Sequence, residues 1–206
     1  MIELHPLLLV VLAYVAGSIP AAAIAGRLHG VDLRKQGSGN LGATNVVRVL
    51  GWKTGIAVFL FDAAKGALPV LFFPQWTASS LDPRILALTY GLAAIAGHVR
   101  PVFLKFGKGG KGVATASGVF IALAPVPMLI AFGVFVVVVL VSGYVSLGSL
   151  ISALVLPAAL AFTVGVQSPM FVVSVVLATF VFWTHRANIG RLRRGEEHRF
   201  GRRAAS

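Results

Sequence analysis

Long apolar runs fill most of this chain and limit its choice of fold more than any other feature. They cover about residues 4–26, 56–73, 85–99, 113–142, 147–166 and 169–184. A helix of roughly 20 apolar residues crosses a hydrocarbon core of about 30 Å. With 57% of its 206 residues apolar and 12% charged, the chain has too much apolar surface for the interior of a water-soluble domain. We predict one all-α domain over 1–206, a polytopic integral membrane helical bundle.

The run at 113–142 is too long for one crossing of the membrane. Its 30 residues would extend about 45 Å as a helix, and Pro125 and Pro127 interrupt it. We therefore predict two spans here, the first of them short. The run at 4–26 carries Glu3 and lacks the basic start of a secretory signal peptide, so it is interpreted as a spanning helix. These assignments predict about seven transmembrane helices.

The basic residues lie in segments that seven spans would place on one face of the membrane. With the N-terminus outside, the segments on the inner face are 27–55, 100–112, 142–147 and 185–206. They hold 16 of the 18 Lys and Arg residues. Lys and Arg are enriched in cytoplasmic loops, and a single span over 113–142 would move the arginine-rich tail to the other side. The sequence thus predicts a cytosolic C-terminus.

Composition excludes several classes of function. The net charge of +12 could suggest nucleic acid, but neither a soluble fold nor aromatic residues interleaved with the basic ones is present, so we predict no nucleic-acid partner. The absence of cysteine excludes disulfides, thiolate metal sites and a cysteine nucleophile. Any catalysis must therefore use oxygen, imidazole or ammonium groups.

A segment rich in Gly, Ser and Asn, from Gly37 to Gly51, is the first candidate site. Its glycines allow tight turns, which an ordinary surface turn would also explain. Arg48 adds a donor that can hold a phosphate through two hydrogen bonds. The short polar side chains of the segment are Ser38, Asn40, Thr44 and Asn45. Their density beside a membrane-embedded core favours a phosphate-binding loop.

Glycines alternate with lysines in the second candidate segment, GKGGKGVAT at 107–115. Backbone N–H groups and the start of a helix near Val113 can face an anion there, while Lys108 and Lys111 neutralise its charge. A basic loop needed only for topology has no use for the glycines Gly107, Gly109, Gly110 and Gly112. The spacing differs from that of a Walker A motif. We predict a phosphate-binding loop of another kind.

Polar residues also mark the inner ends of two later spans. His185 and Asn188 are three residues apart, hence on one helical face, where they can bind one substrate. A structural histidine at the membrane boundary is the alternative, and the arginines that follow could hold the tail inside or contact anionic lipid. Ser146 could reach into a site or cap the next helix.

Two charged residues fall inside a predicted span. Asp62 and Lys65 lie at spacing i, i+3, and charges in lipid are expensive unless they are paired. We predict an ion pair that is structural by default but could belong to the site. His98, before Pro101, stays unassigned.

Taken together, these segments resemble the PlsY-type glycerol-3-phosphate acyltransferases of bacteria, which transfer an acyl group from acyl phosphate to sn-glycerol 3-phosphate. The matching strings are AGSIP at 16–20, GSGNLGATNVVRVLG at 37–51, DAAKG at 62–66, GHVRPVF at 97–103, GKGGKGVAT at 107–115, YVSLGS at 144–149 and HRANIGRLRRGEEHRF at 185–200. The resemblance implies a multi-pass enzyme of the bacterial cytoplasmic membrane with its active site on the cytosolic face. It also implies that lysophosphatidic acid is the product, in the first step of phospholipid synthesis, and that an acyl-phosphate-producing enzyme is a functional partner.

The resemblance also indicates which residues act. The implied catalytic residues are Ser38, Arg48, Lys111, His185 and Asn188. The implied contacts with substrate or phosphate are Gly37, Asn40, Thr44, Asn45, Gly109, Gly110, Gly112, Thr115 and Ser146. Ala187 departs from the family, where Glu commonly stands in an HREN-like string. This departure weakens any mechanism that needs a carboxylate there and leaves Glu196 for a structural role.

The chemistry implied for the family needs neither a cofactor nor a metal. None of the five His residues is followed by Asp five positions later, and the carboxylates do not stand beside a His in the motifs, so a His–carboxylate base is not expected. The best alternative function is an organophosphate transporter with a cytosolic phosphate-binding vestibule, although its polar residues would be expected near the midplane. An enzyme that transfers phosphoalcohols would need a metal-binding carboxylate cluster, which the sequence lacks.

Overall fold

The computed structural model describes residues 3–200, and within this range helices form without any strand. The first of two compact units ends at Leu123 and contains α1 (Pro6–Gly17), α2 (Ala21–Leu28), α3 (Ala43–Leu50), α4 (Trp52–Phe72), α5 (Pro83–Val99) and α6 (Val113–Leu123). The second unit contains α7 (Pro125–Ser142), α8 (Val145–Thr163), α9 (Pro169–Thr184) and α10 (Arg186–Arg193). The predicted all-α class is confirmed, while the single domain stays a prediction.

The helices include several that are long and apolar enough to cross a membrane. Within residues 3–200, five candidates reach the required length: Pro6–Leu28, Trp52–Trp76, Pro83–Leu104, Pro125–Ser142 and Val145–Thr163. The pair α9 and α10, bent by 59°, makes a sixth, and α6 is a shorter apolar helix of 11 residues. A polytopic membrane protein is thus confirmed. The count of seven and the sides of the termini stay predictions, and the tail predicted at 185–206 extends past the described residues.

Proline positions explain where two of the apolar runs break. The run at 113–142 divides as predicted, since α6 ends at Leu123 and α7 begins with Pro125, a position where the missing N–H costs nothing. The run at 4–26 was predicted as one helix, but α1 ends at Gly17 and α2 begins at Ala21. Pro20 causes this difference because its ring and its missing N–H prevent a continuous helix.

Close helix crossings in the first unit depend on glycine. A Cβ atom at Gly17 would overlap the backbone of Ala94, and one at Gly97 would overlap the carbonyl oxygen of Tyr14. Small residues let membrane helices approach in this way. The hydroxyl of Tyr14 donates to the carbonyl oxygen of Arg100 at 2.6 Å. These contacts fix α1 against α5 and place the C-terminal end of α5 beside the break after α1.

Candidate active site

The loop before α3 is held in shape by the side chain of Asn45. Its Oδ1 accepts the backbone N–H of Ser38 at 2.8 Å, and its Nδ2 lies 3.1 Å from each of the carbonyl oxygens of Leu33 and Gln36. Asn45 is 1% exposed, so these bonds are shielded from water. The side chain therefore organises the loop from inside it, and its contact with a substrate stays a prediction.

The same loop presents the predicted polar residues to its surface. Ser38, Thr44 and Arg48 are exposed, and Asn40 is half-buried. A Cβ atom at Gly37 would overlap Oδ1 of Asn45 and lie 3.3 Å from Cδ of Arg48. Gly37 has φ of +61°, which also favours glycine. The first predicted motif is therefore one compact structure in which Arg48 lies close to the loop that carries Ser38.

The glycine loop at 107–112 folds back on the end of α5. The N–H of Gly109 donates to the carbonyl oxygen of Val99 at 3.0 Å, and the N–H of Gly110 donates to that of His98 at 3.3 Å. The last carbonyls of a helix lack partners within it, so the loop caps α5. The sequence analysis expected backbone N–H groups of the loop to face an anion. Those of Gly109 and Gly110 are instead used within the protein.

The remainder of this loop leads into α6. Gly112 has φ of +85°, a conformation that favours glycine, and its carbonyl oxygen accepts the first helical bond from Ala116 at 2.8 Å. Lys111 is half-buried and stands in the chain between Gly110, which caps α5, and the turn at Gly112. Thr115 is fully buried, and its Oγ1 has no hydrogen-bond partner within residues 3–200. The N–H groups in the first turn of α6 are the ones that suit an anion.

Gly110 is the point where the two predicted loops meet. A Cβ atom there would overlap Nε2 of His98 on one side and lie 3.0 Å from the carbonyl oxygen of Leu41 on the other. Leu41 belongs to the first motif and Gly110 to the second. The fold therefore brings together two segments that the sequence analysis selected separately.

In the second unit, His185 lies at a sharp bend. α9 ends at Thr184, α10 begins at Arg186, and the two axes differ by 59°. His185 is the C-cap residue of α9 and the N-cap residue of α10, and its carbonyl oxygen accepts the N–H of Ile189 at 2.9 Å. The shared face of His185 and Asn188 stays a prediction. His185 is 4% exposed, and its Nδ1 lies 2.8 Å from the carbonyl oxygen of Val181. A carbonyl only accepts, so Nδ1 carries a proton.

Asn188 is oriented by a carboxylate that the sequence analysis did not select. Nδ2 of Asn188 donates to Oε1 of Glu197 at 2.8 Å, and Nε of Arg191 donates to Oε2 at 2.7 Å. Burial raises the pKa of Glu197, but these hydrogen bonds and the charge of Arg191 outweigh burial and hold that pKa below its ordinary value. Glu196, which the sequence analysis left for a structural role, pairs with Arg194 on the surface. The turn at Gly195, with φ of +71°, directs the second glutamate inward.

Ser146 lies near this carboxylate in the first turn of α8. Tyr144 is the N-cap residue of α8, so Ser146 does not cap the helix. The hydroxyl of Ser146 contributes to the low pKa of Glu197, although its buried Oγ makes no hydrogen bond of ordinary geometry within the described residues. Of the two roles considered for Ser146, capping is excluded, and contact with a substrate stays a prediction.

A buried ionic cluster in the first unit includes the histidine left unassigned. Nζ of Lys65 lies 2.7 Å from Oδ1 of Asp62, which confirms the predicted ion pair. Nδ1 of His98 lies 3.5 Å from the same oxygen. Sequence spacing does not indicate that His98 joins Asp62 and Lys65, because His98 lies in α5 and reaches them only when α5 packs against α4. Among residues 3–200, no three acidic, histidine or cysteine side chains form a group that could hold a metal ion.

Comparison with known proteins assigns the family. A family model described as glycerol-3-phosphate acyltransferase matches residues 7–195. The chain belongs to the glycerol-3-phosphate acyltransferase family. The resemblance to the PlsY type is thereby confirmed.

Relatives of this acyltransferase align over nearly their whole length. The glycerol-3-phosphate acyltransferase of Trichlorobacter lovleyi is 47% identical over 91% of this chain and 94% of its own. The glycerol-3-phosphate acyltransferase of Thermus thermophilus is 44% identical over 93% of this chain and 94% of its own. The crystal structure of PlsY, an integral membrane glycerol 3-phosphate acyltransferase in its glycerol 3-phosphate form, has 42% identity and a TM-score of 0.86 over 95% of this chain and 96% of that one. The crystal structure of its lysophosphatidic acid form has 41% identity and a TM-score of 0.80, over 95% of each chain.

Proposed function

We propose that this protein transfers a fatty acyl group from acyl phosphate to the 1-hydroxyl of sn-glycerol 3-phosphate, giving lysophosphatidic acid and phosphate. The observation that carries the proposal is the contact at Gly110 between two loops whose residues both suit phosphate. The solved relatives, in a glycerol 3-phosphate form and a lysophosphatidic acid form, support this acceptor and this product. We place the reaction at the cytosolic face of the bacterial inner membrane, as the first step of phospholipid synthesis, fed by an enzyme that produces acyl phosphate.

The proposed reaction needs no covalent enzyme intermediate. Acyl phosphate is an activated mixed anhydride, so the hydroxyl oxygen of the acceptor bonds to the acyl carbon while the bond from that carbon to the phosphate oxygen breaks. A phosphate oxygen of a substrate accepts the hydroxyl proton. A phosphomonoester carries roughly −1.5 to −2 charges at pH 7, so bringing donor and acceptor together requires positive groups. Arg48 and Lys111 are the residues we assign to this task.

The remaining assigned residues hold the acceptor and the developing oxyanion. Ser38 belongs to the loop fixed by Asn45, and Asn188 is oriented by Glu197, so both are preorganised. His185 keeps one proton on Nδ1 through its bond to Val181. We further propose contacts with substrate from Gly37, Asn40, Thr44, Asn45, Gly109, Gly110, Gly112, Thr115 and Ser146. No carboxylate acts as the general base in this mechanism.

An assay with parallel acyl donors tests the reaction. The purified protein is given glycerol 3-phosphate and palmitoyl phosphate, palmitoyl-CoA or palmitoyl–acyl carrier protein, without added metal. Product from palmitoyl phosphate alone supports the proposal. Product only from a thioester contradicts the proposed donor. Uptake of glycerol 3-phosphate into proteoliposomes without conversion would support the transporter alternative.

Two alanine variants test the assigned residues. Lys111→Ala and His185→Ala should reduce turnover by about 100-fold or more, since electrostatic stabilisers of this kind contribute on that scale. Lys53→Ala and His198→Ala are the matched controls, because both side chains are exposed and lie outside the proposed site. Folded Lys111→Ala or His185→Ala protein with the turnover of its control would remove that residue from the mechanism.

A further inference from the structure

The three ionisable side chains of the buried cluster, Asp62, Lys65 and His98, lie among the membrane helices of the first unit. They are 2%, 6% and 5% exposed. Burying charged groups is costly unless their partners are well placed. Such a cluster in a membrane span is by default associated with function. The proposed mechanism uses none of these three residues.

The cluster is anchored at its lysine end. Nζ of Lys65 donates to the carbonyl oxygen of Ile19 at 2.8 Å, in the break between α1 and α2. That carbonyl oxygen also accepts the N–H of Ala21 at 3.1 Å, so Lys65 binds a backbone oxygen within the break itself. Lys65 thus contacts the carboxylate of Asp62 on one side and the break between α1 and α2 on the other. Oδ1 of Asp62 makes no hydrogen bond of ordinary geometry within residues 3–200, so its contacts with Nζ of Lys65 at 2.7 Å and with Nδ1 of His98 at 3.5 Å are electrostatic.

The other end of the cluster reaches the glycine loop. The imidazole of His98 packs on Gly110 so closely that a Cβ there would overlap Nε2. The carbonyl oxygen of His98 also accepts the N–H of Gly110. His98 therefore contacts this glycine through both its side chain and its backbone, and Gly110 in turn lies against Leu41 of the first motif. Lys111 is the next residue in the chain.

We propose that His98, which lies beside Asp62, is a positioning residue that fixes the conformation of the Gly109–Gly112 loop. It thereby positions the side chain of Lys111 to bind a substrate phosphate. It acts through the loop and does not touch the substrate. Gly110 is glycine because the imidazole occupies the place of a side chain. This inference rests on the proposed acyl transfer to glycerol 3-phosphate, since its test measures KM and kcat/KM for that acceptor.

A double-mutant cycle between His98 and Gly110 tests the inference. Gly110→Ala alone inserts a methyl group into the imidazole and should displace the loop, raising KM for glycerol 3-phosphate and lowering kcat/KM. His98→Asn keeps a polar N–H group beside Asp62 and removes the part of the side chain that lies over Gly110. Adding Gly110→Ala to His98→Asn should therefore cost at least about fivefold less in kcat/KM than adding it to the wild type, within the usual range for residues in contact. Gly133→Ala is the control, because a Cβ there meets nothing within 4 Å.

Each outcome of the cycle decides the matter. Equal losses from Gly110→Ala in the two backgrounds overturn the inference. In another outcome, the two substitutions are coupled only in their effects on the unfolding temperature, with KM for glycerol 3-phosphate unchanged. That result also overturns the inference, because His98 would then contribute only to packing. A wild-type protein that transfers acyl groups from none of the three donors overturns the proposed function itself, and that result is obtained before any variant is compared.

Discussion

The side chain of Asn45 joins three backbone groups of one loop, and its replacement tests how that loop supports Ser38. Asn45→Ala would leave the N–H of Ser38 and two carbonyls without their buried partner, at a cost of about 1–3 kcal/mol. We expect a lower unfolding temperature in detergent and a lower kcat/KM. Asn45→Asp keeps the acceptor for Ser38 but turns a buried carboxylate oxygen toward the carbonyl oxygens of Leu33 and Gln36, so it should be at least as destabilising as Asn45→Ala. Wild-type activity in Asn45→Ala would contradict the role.

Glu197 gives the second unit a stability that depends on pH. Its pKa is lowered in the folded protein, so its contribution is complete above the ordinary glutamate pKa of about 4.3 and is lost as the pH falls from there through the lowered value. Glu197→Gln should lower the unfolding temperature at pH 7 and flatten its decline on acidification. Thermal unfolding measured between pH 7 and pH 3 checks both effects.

Glu196→Gln is the control for this measurement. Glu196 pairs with Arg194 by one hydrogen bond at 2.7 Å, but both side chains are more than half exposed, and such pairs contribute little. Its unfolding should follow that of the wild type at every pH. If Glu196→Gln and Glu197→Gln behave alike, the buried network of Asn188, Arg191 and Glu197 does not stabilise the fold.

At the scale of elements, the crossing of α1 and α5 depends on a missing side chain. Gly97→Ala would place a methyl group on the carbonyl oxygen of Tyr14 and within 2.8 Å of the backbone nitrogen of Ser18. Overpacking of this kind costs about 1–3 kcal/mol. We expect a clearly lower unfolding temperature for Gly97→Ala and none of that loss for Gly133→Ala, whose added atom has open space. Equal unfolding temperatures of the two variants would show that α1 and α5 can move apart to accommodate the methyl group without loss of stability.

Element boundaries followed from the sequence where a local steric rule decides them. The division before Pro125 was predicted, because proline cannot continue a helix. The same rule applies at Pro20, but the break there was missed, since the residues on both sides stay apolar and a single span was long enough. The bend at His185 was not predicted either. The residues at the bend, 184–186, include no proline or glycine, so no local steric rule predicts a break in the helix there.

At the scale of the whole molecule, the side of each loop is a prediction from the charges. The chain has no cysteine, so single cysteines can be introduced without background. Lys35→Cys, in the predicted inner loop, should react with a membrane-impermeant maleimide only after permeabilisation, whereas Ser79→Cys should react in intact cells. Both positions are exposed. Labelling of Lys35→Cys from outside would reverse the predicted orientation.

The span count is tested in the same way at the C-terminal end. With seven spans, Arg193→Cys lies inside and is protected in intact cells. With six, it would lie opposite the loop at 27–55 and react from outside. Expression level and activity of each variant serve as the control for correct insertion.

The sequence by itself determined the class of fold, the Asp62–Lys65 pair and the family, and it selected the two glycine-rich loops. Each of these depends on composition, on local steric rules or on motifs read along the chain. Only the tertiary structure decided that Gly110 joins the two loops, that His98 completes the ionic cluster and that Glu197 rather than Glu196 is buried. These facts require residues far apart in the chain, or on a turn of unpredicted direction, to meet in space. Packing of whole helices fixes such contacts, and no local pattern encodes them.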